Sequence, residues 1–327
     1  MLDLDGVVYL GGTPIPGAAA ALAAAARRGM KLAYVTNNAS RTPHAIAAQL
    51  SAMGVPATAA DIVTSAQAAA HLLADRLPAG SPVLVVGGAG LRLAVRDRGL
   101  RPVTSAAVRP LAVVQGYSAH IDYGLLAEAA LAINAGAWYV LSNADPTLPT
   151  PRGPQPGNGS LAQVLIHATG REPVVAGKPE PPLHAESVAR VGAKRPLVVG
   201  DRLDTDIEGA VRGGADSLLV LTGVTRPADL LLAPARQRPC YVAADLTGLN
   251  ASHPEVTAAD GRFRCGGWTA VAGGSGEAWL AVSGTGDWID GLRALCGAAW
   301  AAGPPPGSPE EHRRAAEVVL AVIGPPR

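Results

Sequence analysis

Two aspartates, Asp3 and Asp5, stand two residues apart in the apolar run that opens the chain, MLDLDGVVYL. On an extended segment residues two apart face the same way, so the pair can present two carboxylates at one strand end. Like charges that close need a cation or a shifted pKa. The plainer alternative is a solvated turn, since Asp and Gly both favour turns. Three further stretches place reactive side chains directly after an apolar run. In KLAYVTNN, Thr36 ends the run, and its hydroxyl with the peptide N–H groups that follow suits an anion; the alternative is a capping Asn pair. In PVVAGKPEP, Lys178 follows the run and can neutralise a phosphoryl oxygen, although a lone lysine is more often a surface residue. In RPLVVGDRLDTDIEG, Asp201 ends the run and Asp206 opens a helix, with Thr205 and Glu208 at the spacing of a capping box. A hard cation such as Mg²⁺ takes few carboxylates, water and a substrate phosphate, and Asp3 with Asp201 can supply such a site.

These side chains need strands behind them. Up to residue 78 the chain alternates short apolar runs with helix patterns. One helix pattern starts at Pro16 and stops at Gly29, and another is capped by Thr42, begins at Pro43 and stops at Gly54. That βαβα rhythm implies a parallel sheet covered on both faces. PAGSP, residues 78–82, reads as a linker into a second α/β set. The first rhythm resumes near residue 171. The expected architecture is α/β: a Rossmann-like parallel-sheet core in two parts (1–78 and 171–250), an inserted α/β cap (79–170), and a small α+β module (251–327). In that module RFRCGGWTAVAG and EAWLAVSG read as a strand pair around GSGE, followed by two helices, the second opened by Ser308 and Glu311. The Pro- and Gly-dense segment NADPTLPTPRGPQPGNGS in the cap is the candidate for reading a substrate, and Ser160 within it reads as the cap of the next helix. VLVVGGAGLRLA lacks the third glycine of a dinucleotide fingerprint and reads as the cap's first strand-to-helix turn.

Composition excludes several classes. A net charge of +1 offers no electrostatic case for a nucleic acid or a membrane surface. No apolar stretch approaches the roughly 20 residues of a membrane span. The three cysteines, Cys240, Cys265 and Cys296, are widely spaced and form no disulfide or zinc pattern, which fits a cytoplasmic address.

In chain order, DLDG, TNN, GKP and GDRLDTD resemble the signature stretches of the haloacid dehalogenase superfamily of phosphohydrolases. An insertion between the second and third resembles its C2-capped (class IIA) branch, of which TNNASR, PGNGS and GDRLDTDI are typical wordings. The resemblance covers about residues 1–250. Through VTSAQ, AHLL, DPTLPT and VLTGV, with an appended tail, it narrows to glycerol-3-phosphate phosphatases whose tail is GNAT-like, similar to part of a GCN5-related acetyltransferase. The resemblance implies hydrolysis of a small-molecule phosphate ester through an aspartyl-phosphate. Asp3 is then the nucleophile and Asp5 the general acid and base. Mg²⁺ is held by Asp3, Asp201 and the main-chain carbonyl of Asp5. Thr36 and the backbone of Asn37 grip the phosphoryl oxygens. Lys178 offsets charge, and Asp206 steadies Lys178 or a water on the metal. Phosphoglycolate, a sugar phosphate, a nucleotide or an aryl phosphate are the alternative substrates; a catalytically silent binding or assembly protein is the alternative of another class. The tail has no Arg-x-x-Gly-x-Gly/Ala loop for acetyl-CoA, so a structural or assembly role is expected of it, which admits a homo-oligomer.

A strand that carries a nucleophile usually runs about 5–6 residues, yet only Met1 and Leu2 precede Asp3. The expectation is that the native protein carries several more residues, mostly apolar, before Met1.

Overall fold

The computed structural model describes residues 1–148, 150, 152–273 and 278–324. Two parallel sheets dominate it. In the core, Tyr34–Thr36 pairs with Ile62–Thr64, while Leu197–Gly200 pairs with Asp216–Val220, which pairs in turn with Tyr241–Ala243, all parallel. The N-terminal segment joins these halves. Leu2 bridges Tyr34 on one side and Val199 on the other, both in parallel sense. The Leu2 N–H donates to Ala33 O at 2.8 Å and the Asp3 N–H to Val199 O at 2.9 Å. Met1–Asp3 thus takes the central position of the sheet with very few residues. Leu2 and Leu4 are each 1% exposed, which is what a strand covered on both faces demands. The Met1 nitrogen donates to Leu197 O at 2.8 Å, in line with the ladder that Leu2 and Asp3 continue.

Helices cover both faces. Ala18–Arg27 buries Ala18, Ala21, Leu22 and Ala25, small side chains that bring the helix close to the sheet. Pro43–Ala52 starts as its sequence suggests, with the Thr42 hydroxyl accepting the Ala45 N–H at 3.3 Å.

The cap sheet runs in the order Val174–Val175, Trp138–Leu141, Ala112–Gln115, Pro82–Val86, Arg101–Val103, again all parallel. Val174–Val175 lies past residue 171, where the sequence rhythm suggests a return to the core, but it hydrogen-bonds to the cap strand. VLVVGGAGLRLA forms the strand Pro82–Val86 and the helix Ala89–Asp97. Its glycines serve an approach between cap and core: the Gly90 N–H donates to Ser40 O at 3.0 Å, and a Cβ at Gly90 would overlap the Arg41 carbonyl.

The C-terminal module differs from expectation in strand count. It holds four antiparallel strands, Thr257–Ala259, Arg262–Cys265, Trp268–Ala272 and Leu280–Gly284, before the helices Trp288–Ala302 and Pro309–Ile323. Gly266 and Gly267 turn the chain back and split RFRCGGWTAVAG in two, with Gly266 at φ +54°. The stretch GSGE, 274–277, lies outside the described residues. The capping box at Ser308 and Glu311 is present. One apolar cluster joins this module to the core: Cys265, Trp268, Leu292, Leu295 and Ile323 pack with Leu203, Ile207, Leu219 and Val242. Among the described residues no helix is long and apolar enough to cross a membrane.

Candidate active site

Three of the four motif stretches end at the carboxyl ends of core strands, where open parallel sheets bind ligands, and the fourth, GKP, follows the cap strand Val174–Val175. A cavity of about 430 Å³ opens there, lined by Asp3, Asp5, Thr36, Asn37, Lys178 and Asp201 from the core and roofed by cap residues. The Lys178 ammonium lies in its wall. It donates to Asp3 Oδ1, to Asp206 Oδ1 at 2.7 Å and to the Val35 carbonyl at 3.3 Å. Carboxylate oxygens of Asp3, Asp201 and Asp206 lie within 4.8 Å of one another. Asp201 accepts the Val224 N–H on Oδ2 at 2.7 Å, whereas its Oδ1 is buried with no hydrogen-bond partner among the described residues. Asp206 Oδ2 accepts the Arg202 N–H at 3.2 Å.

Asp5 is exposed at the cavity and accepts the Gly11 N–H at 3.2 Å. Thr36 Oγ1 accepts the Asn38 N–H at 3.1 Å. All seven side chains singled out from sequence therefore lie in one region, six lining the cavity and Asp206 behind Lys178.

Two local expectations fail here. Thr205 and Glu208 form no capping box, because Leu203–Ile207 closes a π-turn before the helix Glu208–Arg212 begins. Glu208 turns instead to Arg212 at 2.6 Å and Gln237 at 2.8 Å. Nor does Ser160 cap a helix, since Asn158–Thr169 starts two residues earlier and the Ser160 hydroxyl donates to Pro146 O at 2.6 Å.

Known proteins resemble this chain over the stretches that carry the site. A model of haloacid dehalogenase-like hydrolases matches residues 1–101 and a second hydrolase model of that kind matches 175–249. The D-glycerol 3-phosphate phosphatase of Mycobacterium tuberculosis is 48% identical over 309 residues, 92% of this chain and 85% of that protein. The chain belongs to the haloacid dehalogenase-like hydrolases. A 5'-nucleotidase of Bacillus subtilis is 38% identical over 69% of this hydrolase and 88% of its own length. The crystal structure of the M. tuberculosis glycerol phosphate phosphatase in complex with magnesium superposes with a TM-score of 0.84 at 44% identity, covering 98% of this hydrolase and 96% of that chain. A GCN5-related N-acetyltransferase-like model matches residues 265–324.

The charge balance of this hydrolase suits a divalent cation. Three carboxylates face one ammonium, so two negative charges are left over. Burial, with Asp206 and Asp201 adding to it against Lys178, pushes Asp3 up to about 8. Burial and Asp206 push Asp201 up to about 7. Burial pulls the Lys178 ammonium down, but Asp206 and Asp3 outweigh it and hold it above its ordinary value. A metal-free cluster of this kind retains protons, and a cation of charge two replaces them. The unpartnered Asp201 Oδ1 is an acceptor of the hard, oxygen type that Mg²⁺ takes.

Asp201 is packed as tightly as it is charged. A Cβ on Gly223, or on Gly6 at φ +84°, would overlap its carboxylate. Gly223→Ala is expected to displace Asp201 and weaken Mg²⁺ activation by roughly 10-fold or more, a loss typical of disturbed metal surroundings. A magnesium titration of turnover measures it; an unchanged midpoint would show that the carboxylate has room to move.

Sequence reasoning named the cap segment NADPTLPTPRGPQPGNGS without singling out its first residues, Asn143 and Asp145. The Asp145 carboxylate accepts Asn37 Nδ2 at 3.1 and 3.3 Å, and Asn143 Nδ2 donates to the Asn37 carbonyl at 2.7 Å. The signal was available, since both follow the buried strand Trp138–Leu141 just as the core candidates follow theirs.

Proposed function

We propose that this haloacid dehalogenase-type phosphatase hydrolyses glycerol-3-phosphate, with Asp3 as covalent nucleophile. The observation that carries the chemistry is the bridging of Asp3 and Asp206 by one buried ammonium, with Asp201 beside them. An Asp3 oxygen bonds to phosphorus as the phosphorus–alkoxide bond breaks. Asp5, exposed at the mouth, gives the departing alkoxide its proton. It then takes a proton from the water that attacks the aspartyl-phosphate, which frees inorganic phosphate and restores Asp3. Thr36 and the peptide N–H of Asn37 hold the phosphoryl oxygens. Lys178 offsets the charge shared by nucleophile and phosphate, and Asp206 keeps the ammonium in place. Asp3, Asp201 and the main-chain carbonyl of Asp5 would hold Mg²⁺, which when bound supplies the positive charge that lets two anions approach. Phosphoryl transfer is largely positioning and electrostatics, and this set supplies both.

The substrate assignment rests on the M. tuberculosis relative and on the roof of the cavity. The cap contributes Tyr117, Asn143, Asp145, Thr147, Thr150 and Asn158 to the lining, and no Lys, Arg or His among the described residues. Hydroxyls, amides and one carboxylate, with the core's Arg202 paired to Asp204 at 2.8 Å, suit a neutral polyol leaving group and disfavour one with a second negative charge. Expected kcat/KM for glycerol-3-phosphate exceeds that for phosphoglycolate by about 10-fold or more, a difference of about 1.4 kcal/mol. A substrate panel with Mg²⁺ and EDTA controls tests both layers. Preference for phosphoglycolate would overturn the substrate, and no turnover of any phosphate ester would overturn the chemistry. The tail acts structurally, as its shared apolar cluster suggests. A homo-oligomer is tested by light scattering. The three free thiols favour a cytoplasmic setting.

A further inference from the structure

We infer that Asp145, a cap residue, is a positioning residue that orients Asn37 and through it Lys178 and the nucleophile carboxylate. This rests on the roles proposed above for Lys178 and Asp3. The Asn37 side chain clasps the lysine backbone from both sides: its Oδ1 accepts the Lys178 N–H at 2.8 Å and its Nδ2 donates to the Lys178 carbonyl at 3.2 Å. From that clasp the lysine side chain runs to Asp3 and Asp206. The same Nδ2 donates to both Asp145 oxygens. An amide has a donor end and an acceptor end of nearly equal shape. Turned over, Asn37 would set its oxygen against the Asp145 carboxylate and its NH₂ against the Lys178 N–H. Asp145 selects the orientation that holds the lysine.

Asp145 is itself built into place. Its N–H donates to Asn143 Oδ1 at 3.2 Å, and the Asn143 carbonyl accepts Asn158 Nδ2 at 2.6 Å. The start of the helix Asn158–Thr169 lies so close to this loop that a Cβ on Gly157 would overlap the Asp145 carbonyl, and one on Gly159 the Ala144 carbonyl. The glycines of PGNGS therefore let a rigid element press on the backbone that presents Asp145. Arg202 and Lys178 are the cations that face this carboxylate, and Asp204 the nearby anion. The core thus receives part of its catalytic geometry from the inserted domain.

The rival role for Asp145 is to read the leaving group directly, since it lines the cavity. The two roles differ in which substrates suffer. Asp145→Ala, Asp145→Asn, Asn37→Ala and the Asp145→Ala/Asn37→Ala double variant are assayed in the full chain with Mg²⁺, on p-nitrophenyl phosphate and on glycerol-3-phosphate. Expected for Asp145→Ala is a fall in kcat of roughly 10- to 100-fold on both substrates, with KM changed by less than about threefold. Asp145→Asn, which keeps an acceptor, recovers most of the loss. The double variant is no slower than Asn37→Ala alone, because both act on one path. A loss confined to glycerol-3-phosphate, a loss expressed in KM, or additive losses in the double variant would overturn the inference. If Asp145→Ala does not fold, Asp145→Ser provides the same cycle. The aryl phosphate arm stays readable when glycerol-3-phosphate is not turned over, so failure of the substrate assignment is told apart from failure of this inference.

Discussion

An Asp3→Asn protein is expected to fold normally and to lose phosphatase turnover by roughly ten-thousand-fold or more, the scale seen when a covalent nucleophile is removed. The substitution is nearly isosteric. Asparagine still offers an oxygen to the Lys178 ammonium, and the Asp3 N–H keeps its bond to Val199 O at 2.9 Å. Lys178 also retains Asp206 at 2.7 Å, so its charge stays paired. In the metal-free state the change even removes one of three crowded carboxylates. Thermal stability without Mg²⁺ should therefore hold or rise while activity disappears. Steady-state kinetics and thermal melts on the same preparation check both halves. A fully active Asp3→Asn protein removes Asp3 from the chemistry; an unfolded one shows that the charge is needed to build the sheet centre.

Withdrawal of magnesium is expected to abolish turnover and to expose a pH dependence of stability that the metal hides. Asp3 lies at about 8 and Asp201 at about 7 in the folded protein, while unfolded carboxyls titrate near 4. The folded state then binds more protons than the unfolded state between those values, and stability falls as pH rises. The contribution is complete below about pH 4 and lost as pH passes 7 and 8. Because the two groups share one cluster, they titrate as a pair rather than as two independent carboxyls. Metal ligands must be deprotonated, so Mg²⁺ should stabilise more at pH 8 than at pH 6. Melting curves at both pH values, with EDTA and with excess Mg²⁺, give the comparison. An EDTA-treated protein that grows more stable from pH 6 to pH 8 would contradict the raised carboxyls. Turnover that survives EDTA would remove the metal from the mechanism.

The candidates were legible because each directly follows apolar residues, at the end of a core strand for Asp3, Thr36 and Asp201 and of the cap strand Val174–Val175 for Lys178, and parallel strands bring their ends together however far apart they lie in sequence. Asp3 and Lys178 are 175 positions apart and share a hydrogen bond. Helix starts were legible where a side chain and its target lie within one turn, as at Thr42 and Ser308. The same local rule failed at Thr205, where a π-turn changed the register, and Glu208 found better partners in Arg212 and Gln237. Asp145 follows a buried strand as the core candidates do, but its partner Asn37 lies across the cap–core junction, so its position was legible and its role was not. Gly90, Gly157 and Gly159 were visible as glycines, but the backbones they admit come from elsewhere in the chain. The third strand of the tail sheet was hidden by a two-glycine turn inside one apolar run.

The apolar cluster around Leu203 and Ile207 ties the tail to the turn that presents Asp206. Those two residues belong to the turn that carries Asp206, and the tail supplies much of what they rest on, with Arg293 also donating to Val242 O at 2.6 Å and Trp300 to Leu230 O at 3.1 Å. The B. subtilis relative matches only 69% of this chain, so a similar core exists without the appendage. Here the tail covers an apolar face of the core, and a chain cut short at residue 250 would leave that face in water, beneath the turn that carries Asp206.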